Sequence, residues 1–209
     1  MITEEFFSQY QQNLLQGQQH SCRKMVEKLL EDNISIKTLY VDLFQRSMYQ
    51  VGSMWEKNQM SVAHEHLCTS ITQNLISQVY PRLLAMPHHG RKVVVSCTPG
   101  EMHQLGARMV ADLFEINGWD SHFLGFGTPP IELIRFIGST QPQIIALSMS
   151  LFSNISTLKL LVLKISETNP GIRILLGGQG FRWGGTEMFV TMPDVNVVHG
   201  LDFLEKHII

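Results

Sequence analysis

The sequence predicts an α/β chain in two units, a four-helix bundle followed by a parallel sheet covered on both faces. Three observations carry this. From Thr3 to about Leu84 apolar residues recur at helical spacing with little Gly or Pro. At Met86-Pro-His-His-Gly90 the composition turns to that of a linker. Beyond it, short β-branched runs alternate with amphipathic stretches, the pattern of strands buried on both sides. With 209 residues, 44% of them hydrophobic and 16% charged, the chain has the means to build two cores and is far from the disordered regime. Residues 1–86 are expected to form the helical unit and residues 91–209 the sheet unit.

In the first unit the helices are expected at Thr3–Leu15, Gln18–Glu31, Ile36–Lys57 and Ser61–Leu84, broken near Gly17, Asn33 and Asn58, with Pro81 close to the end of the last. In the second, strands are expected at Arg91–Cys97, Ser121–Leu124, Gln143–Ser148, Ile172–Leu176 and Val195–Val198. Helices at Met102–Asn117, Pro130–Ser139 and Ile155–Thr168 lie between them. In such sheets ligands bind beyond the carboxyl ends of the strands, which directs attention to the loops after Cys97, Leu147 and Leu176.

Composition also excludes function classes. A net charge of -2 with no Lys/Arg cluster argues against direct nucleic-acid binding. The three cysteines are far apart and form no C-x-x-C, so neither a disulfide framework nor a thiolate metal site is expected, and a reducing cytoplasm fits. No window approaches the ~20 apolar residues that span a bilayer, so no membrane role is expected.

The chemistry is expected in three loops. After the first strand comes Thr98-Pro-Gly-Glu101-Met-His103-Gln-Leu-Gly106. A carboxylate beside an imidazole accepts its ring N–H, fixes the tautomer and raises the basicity of the other nitrogen toward a metal. Gly106 lets backbone approach a flat ligand. Ser148-Met-Ser150-Leu151 follows the third strand and Gly177-Gly178-Gln-Gly180 the fourth. Small and hydroxyl residues there are expected to open a slot in the sheet edge, with Ser148 or Ser150 bonding a ligand nitrogen.

Together these segments resemble the D-x-H-x-x-G, S-x-L and G-G signature of cobalamin-binding domains with a Rossmann-like (flavodoxin-like) sheet. The resemblance implies that His103 displaces the cofactor's own dimethylbenzimidazole as axial ligand to cobalt. It also implies that the freed tail threads between the serine and glycine loops. The departure is Glu101 in place of Asp, whose extra methylene relaxes the geometry of the pair.

A second resemblance lies in the helical half. In the run from Val51 to Leu67, Trp55 is followed ten positions later by Glu65-His66. This is similar to the helix-bundle cap of light-sensing cobalamin regulators of the CarH type. It implies that Trp55, Glu65 and His66 surround an upper ligand, adenosylcobalamin being favoured over methyl- or hydroxocobalamin. Where that family places a histidine directly after the Trp, this chain has Glu56, so the family's two-histidine photoproduct cannot form from that position. His64 is read as exposed, and His88 and His89 in the linker are assigned no role. The Met content of 11 is read as adaptable packing.

The expected function is therefore a sensor rather than an enzyme, in which light breaks the cobalt–carbon bond and changes conformation or assembly. It would act as a homo-oligomer signalling through a protein partner. The alternative is a corrinoid protein carrying a methyl group for a methyltransferase system. A radical mutase subunit is weaker, because no barrel is encoded.

Overall fold

The computed structural model describes residues 2–208, and the chain divides into a unit Met1–Ala85 and a unit Met86–Ile209.

The first unit is helical. Helix α1 (Glu4–Leu15) starts under a Thr3 cap, and α2 (Gln19–Glu31) follows. A short α3 (Ile36–Thr38) runs through a π-helical stretch (Leu39–Gln45) into α4 (Arg46–Glu56). Then come α5 (Val62–Ser77) and α6 (Tyr80–Leu83). The three breaks expected from sequence are the residues with left-handed backbone: Gly17 at φ 68°, Asn33 at 56° and Asn58 at 55°. These are the residue types that end helices in that conformation. At Gly17 there is a second reason, since an added Cβ would lie 2.9 Å from Leu67 Cδ2.

Two expectations are corrected here. The helix from Ile36 is not uniform, because the π-turn carries it over Leu39–Gln45. The wider turn buries two pairs four residues apart, Leu39 with Leu43 and Tyr40 with Phe44. Nor does one helix run from Ser61 to Leu84. Pro81 has no N–H to donate to the carbonyl four residues earlier and its ring crowds that carbonyl, so α5 ends at Ser77. Pro81 then sits in the first turn of α6, where its missing donor costs nothing. Arg82 in α6 donates to the carbonyl of Leu30 near the end of α2.

The second unit is a five-stranded parallel sheet in the order β2-β1-β3-β4-β5: β1 (Lys92–Cys97), β2 (Asp120–Gly125), β3 (Ile144–Ser148), β4 (Arg173–Gly177) and β5 (Val195–Val197). The connecting helices are α7 (Leu105–Ile116), α8 (Pro130–Thr140) and α9 (Ile155–Thr168). A further helix, α10 (Leu201–Ile208), and 3-10 turns at Phe152–Asn154, Gln179–Trp183 and Thr186–Met188 were not expected.

Side chains of a strand alternate between faces. Val94, Ile145, Leu147, Ile174 and Leu176 therefore share one face and form a core with Leu133 and Ile137 of α8 and Leu158, Leu161, Val162 and Ile165 of α9. Val93, Val95, Ile144 and Leu175, also buried, face the other way, where α7 packs on β1 and β2. This double burial explains why the strands read as continuous apolar runs. Among the described residues no helix is long and apolar enough to cross a membrane.

Candidate functional site

The order 2-1-3-4-5 reverses direction between β1 and β3, and open parallel sheets bind ligands outside the carboxyl ends of the strands at that reversal. The loops that leave β1 and β3 carry the residues singled out in the sequence. Cys97 and Ser148 are paired across the two strands, and Ser148 in turn pairs with Gly177 of β4. Thr98 ties the loops together by donating both its N–H (2.8 Å) and its hydroxyl (2.9 Å) to the Ser148 carbonyl.

Glu101 is the centre of the arrangement. Its side chain is 1% exposed and both oxygens are occupied. Oε1 accepts from Ser150 N (3.0 Å), Leu151 N (2.8 Å) and Asn154 Nδ2 (2.8 Å). Oε2 lies 3.1 Å from His103 Nδ1. Burial alone would raise the Glu101 pKa, but the hydrogen bonds from His103, Leu151 and Asn154 outweigh it and hold the carboxyl below the ordinary value of 4.5. An ionised carboxylate has no proton to give, so Nδ1 of His103 must carry the hydrogen and donate. The imidazole, half exposed, is thus oriented by a buried anion.

The extra methylene of Glu101 does not loosen the pair. The Glu101 carboxylate reaches the backbone N–H groups of Ser150 and Leu151, which lead into the 3-10 turn before α9.

Asn154 was missed from the sequence. Asn directly before a helix reads as an N-cap, and Asn154 occupies that position for α9, yet its side chain makes no cap hydrogen bond and is spent on Glu101 instead. Nothing in the local sequence signals a partner so distant along the chain. Cys97, beneath the loop, directs its thiol at the His103 carbonyl at 3.8 Å. Burial, and then the charge of Glu101, push this thiol up to about 12, so it stays protonated. Among the described residues no three or more His, Cys, Asp or Glu converge as a metal cluster would.

A Cβ on Gly178, at φ 106°, would lie 2.3 Å from the Met149 carbonyl oxygen, and one on Gly180 2.9 Å from the same atom. These glycines allow the β4 loop to lie against the β3 loop, where Gly180 N donates to Met149 O at 3.0 Å, while Gly178 stays exposed. Gly177 is close to the Val198 carbonyl, while a Cβ on Gly106 would meet no atom within 4 Å. Gly106 lies in the first turn of α7 rather than in the loop. Ser148 and Ser150 are half-buried, and neither hydroxyl bonds another described residue. A cavity of about 490 Å³ lies at the opposite, amino end of the strands, lined by His88, Lys92, Glu115, Asp120 and neighbours, and is no part of this edge.

In the helical unit Trp55 occupies the last turn of α4 with 46% of its surface exposed, so it is not a core residue. Ser61 caps α5, accepting from His64 N, and its hydroxyl also engages His64 Nδ1 at 2.8 Å. His64 therefore has a capping role. Glu65 accepts from Thr69 Oγ1 at 2.8 Å and lies 3.6 Å from His66 Nε2, the His66 ring being largely exposed. Glu56 ends α4, exposed.

Comparison with known proteins follows the same division. The chain is 26% identical to the HTH-type transcriptional repressor CarH of Myxococcus xanthus over 134 residues, covering 63% of this chain and 44% of that protein. It is 29% identical to CarA, another HTH-type transcriptional repressor of Myxococcus xanthus, over 90 residues, covering 43% of this chain and 31% of the other. The chain thus spans less than half the length of these curated relatives. In fold it matches the Methanosarcina barkeri monomethylamine corrinoid protein with a TM-score of 0.82 at 13% identity, over 98% of this chain and 97% of that one. A B12 binding domain family matches residues 7–80 and a second matches residues 91–199, the region that holds every loop described above. The chain belongs to the B12 binding domain family and is a cobalamin-binding protein.

Proposed function

We propose that this protein is a corrinoid carrier that holds a cobalamin and presents it to a methyltransferase system, with His103 as the axial ligand to cobalt. The observation that carries the reading is a fold match running essentially end to end, through both units, with a corrinoid protein of methylamine metabolism. The residues suit the group. One half-exposed imidazole stands at the switch point of the sheet with its Nδ1 held by a buried anion, so that a cobalt ion would be held by Nε2. The hydroxyls of Ser148 and Ser150 are placed to bond a ligand's polar atoms, and the open face at Gly106 leaves room for a flat ring.

A bound corrinoid supplies a metal centre that accepts and releases an alkyl group. The chain's own part is to orient His103 through Glu101, to keep Glu101 ionised through Ser150, Leu151 and Asn154, and to keep Cys97 protonated so that it does not compete for the metal. The reaction would be completed by partner methyltransferases, so the chain is a carrier rather than a catalyst.

A second reading, a light sensor of the CarH type, is favoured by one specific set. Trp55 is exposed on the helical unit with Glu65 and His66 on the next helix, and CarH is among the relatives. The exposed indole suits an upper ligand that needs shielding. Glu56 in place of a histidine speaks against a CarH-like photoproduct.

One experiment separates them. Adenosyl-, methyl- and hydroxocobalamin are added separately in the dark, and spectra and size-exclusion profiles are recorded before and after green light. The carrier reading expects retention of methyl- or hydroxocobalamin, no change of assembly on illumination, and methyl transfer to a thiol acceptor when a partner enzyme is supplied. A homo-oligomer that forms with adenosylcobalamin and dissociates in light would replace it with the sensor. For the ligand itself, His103→Ala should weaken retention and move the spectrum to a form without protein ligation. An unchanged spectrum and affinity would remove His103 from the role.

A further inference from the structure

The linker histidine assigned no role from sequence is exposed and stands between two carboxylates. His88 Nδ1 lies 2.6 Å from Asp120 Oδ1 at the start of β2, and its Nε2 lies 3.2 Å from Glu115 Oε1 near the end of α7. A neutral imidazole carries one N–H and can serve one carboxylate; only the imidazolium donates from both nitrogens at once. Nδ1 is hydrogen-bonded to Asp120 and Nε2 stands within ion-pairing distance of Glu115, so a protonated ring is attracted to both carboxylates.

Around His88 the chain is docked along its length. His89 N donates to Gly118 O at 2.8 Å, and the His89 ring stands edge-on to Trp119 with centroids 5.5 Å apart. The Arg91 guanidinium lies over the Trp119 ring, and Asp120 N donates to Arg91 O at 2.8 Å. Gly118, at φ 81°, is needed both for the turn and for the approach, because an added Cβ would lie 2.9 Å from the Pro87 carbonyl oxygen. Trp119 is itself buried and anchored to α10 by a bond from Nε1 to Ile208 O at 3.1 Å.

We infer that His88 is a proton-operated clasp: as an imidazolium it is held by both Glu115 and Asp120 and pins the segment leading into β1 to the amino edge of the sheet, and on losing its proton it can serve only one of the two carboxylates, so that the segment loosens. The groups facing it are mixed in sign. Glu115 on α7 and Asp120 on β2 are anionic; Lys92 on β1 also lines the cavity but is directed to the Thr140 carbonyl at 3.4 Å. His122 of β2 lines the same cavity, and in the linker His89 and Arg91 are turned to Trp119. The hydrogen bond to Asp120, and then the charges of Glu115 and Asp120, hold the His88 pKa above its ordinary 6.5.

The sign follows. A raised pKa in the folded chain means the clasp is fully made below pH 6.5 and is lost as pH climbs through the raised value. When open, the connection between α6, which ends at Leu83, and β1, which begins at Lys92, gains the residues that the clasp had immobilised. The protonation state of one side chain thus sets the length of free tether between the helical and the cobalamin-binding units.

The test is amide hydrogen exchange of the full-length protein between pH 6 and 9, read as protection factors so that base catalysis of exchange is removed. The reporter is the His89 amide and the internal reference is Val94 in β1. Protection at His89 should fall on the order of threefold or more across that range while Val94 stays level, as expected of a local opening. His88→Gln should show the low value at every pH, and Asp120→Asn and Glu115→Gln should each move the midpoint downward. The inference is overturned if wild-type His89 protection is the same at pH 6 and 9, if it changes only in step with Val94, or if His88→Gln keeps the wild-type value at pH 6. Should that variant fail to fold, the wild-type titration decides alone.

Discussion

The Glu101 loop and the helical core treat buried polar groups in opposite ways. In the sheet unit Glu101 is removed from water and every hydrogen-bonding direction is answered, by two backbone N–H groups, an amide and an imidazole. In the helical unit Gln11 is 7% exposed with neither its amide nitrogen nor its oxygen bonded, and the buried hydroxyl of Ser47, just beyond the π-turn, is likewise unanswered. A satisfied buried network specifies one arrangement, whereas unsatisfied groups leave a core free to repack. The difference teaches that the loop carrying Glu101 and His103 is built to be fixed. The helical unit, with an exposed Trp55 and a π-turn in the helix that carries it, is built to adjust.

Four substitutions break or sharpen this comparison. The largest effect is expected for Gly178→Ala, which adds a strained left-handed residue and a Cβ 2.3 Å from the Met149 carbonyl. It should cost about 3 kcal/mol in urea unfolding of the sheet unit, and a loss below about 1 kcal/mol would show that the loop contact is soft.

Glu101→Ala leaves four donors without their anion and should cost about 2 kcal/mol at neutral pH. Because the folded carboxyl is held below 4.5, its contribution is present above that value and is lost as pH falls through the lowered one. The wild type should therefore approach the variant's stability in acid, and two parallel stability–pH curves would contradict a lowered Glu101 pKa.

Gln11→Leu is expected to go the other way. Replacing an unanswered buried amide with an apolar side chain of similar reach should stabilise the helical unit by about 1 kcal/mol. A loss of stability there would mean that Gln11 has a partner the contrast does not recognise.

The smallest stability effect belongs to Trp55→Ala, within about 0.5 kcal/mol because the indole is so exposed. Its consequence should appear in selectivity among adenosyl-, methyl- and hydroxocobalamin, and a variant with the wild-type order of preference would count against Trp55 as an upper-face residue.

Much of the architecture was legible because it rests on local rules. The left-handed Gly17, Asn33 and Asn58 announce the helix ends, and Val93 to Val95 announce a strand buried on both faces. The pair Glu101 and His103 was legible too, since two residues on one loop need no long-range information to meet. What the local pattern did not disclose depends on partners distant in the chain. The π-turn answers to packing around Tyr40 and Phe44, and the end of α5 to the reach of Pro81. The glycine loop was read as the wall of a slot; its close approach to Met149 on one side is visible only in the structure.

By itself, then, the order of residues determined two units, the direction of the strands and the edge at which a ligand would be met, because hydrophobic period and turn chemistry act over a few residues. Only the tertiary structure decided that Glu101 stays an anion once buried. It also decided that Asn154 leaves its helix cap to hold that anion, and that His88 stands between two carboxylates. Each depends on bringing distant charges and dipoles within about 3 Å, where burial strips away the water that would otherwise screen them.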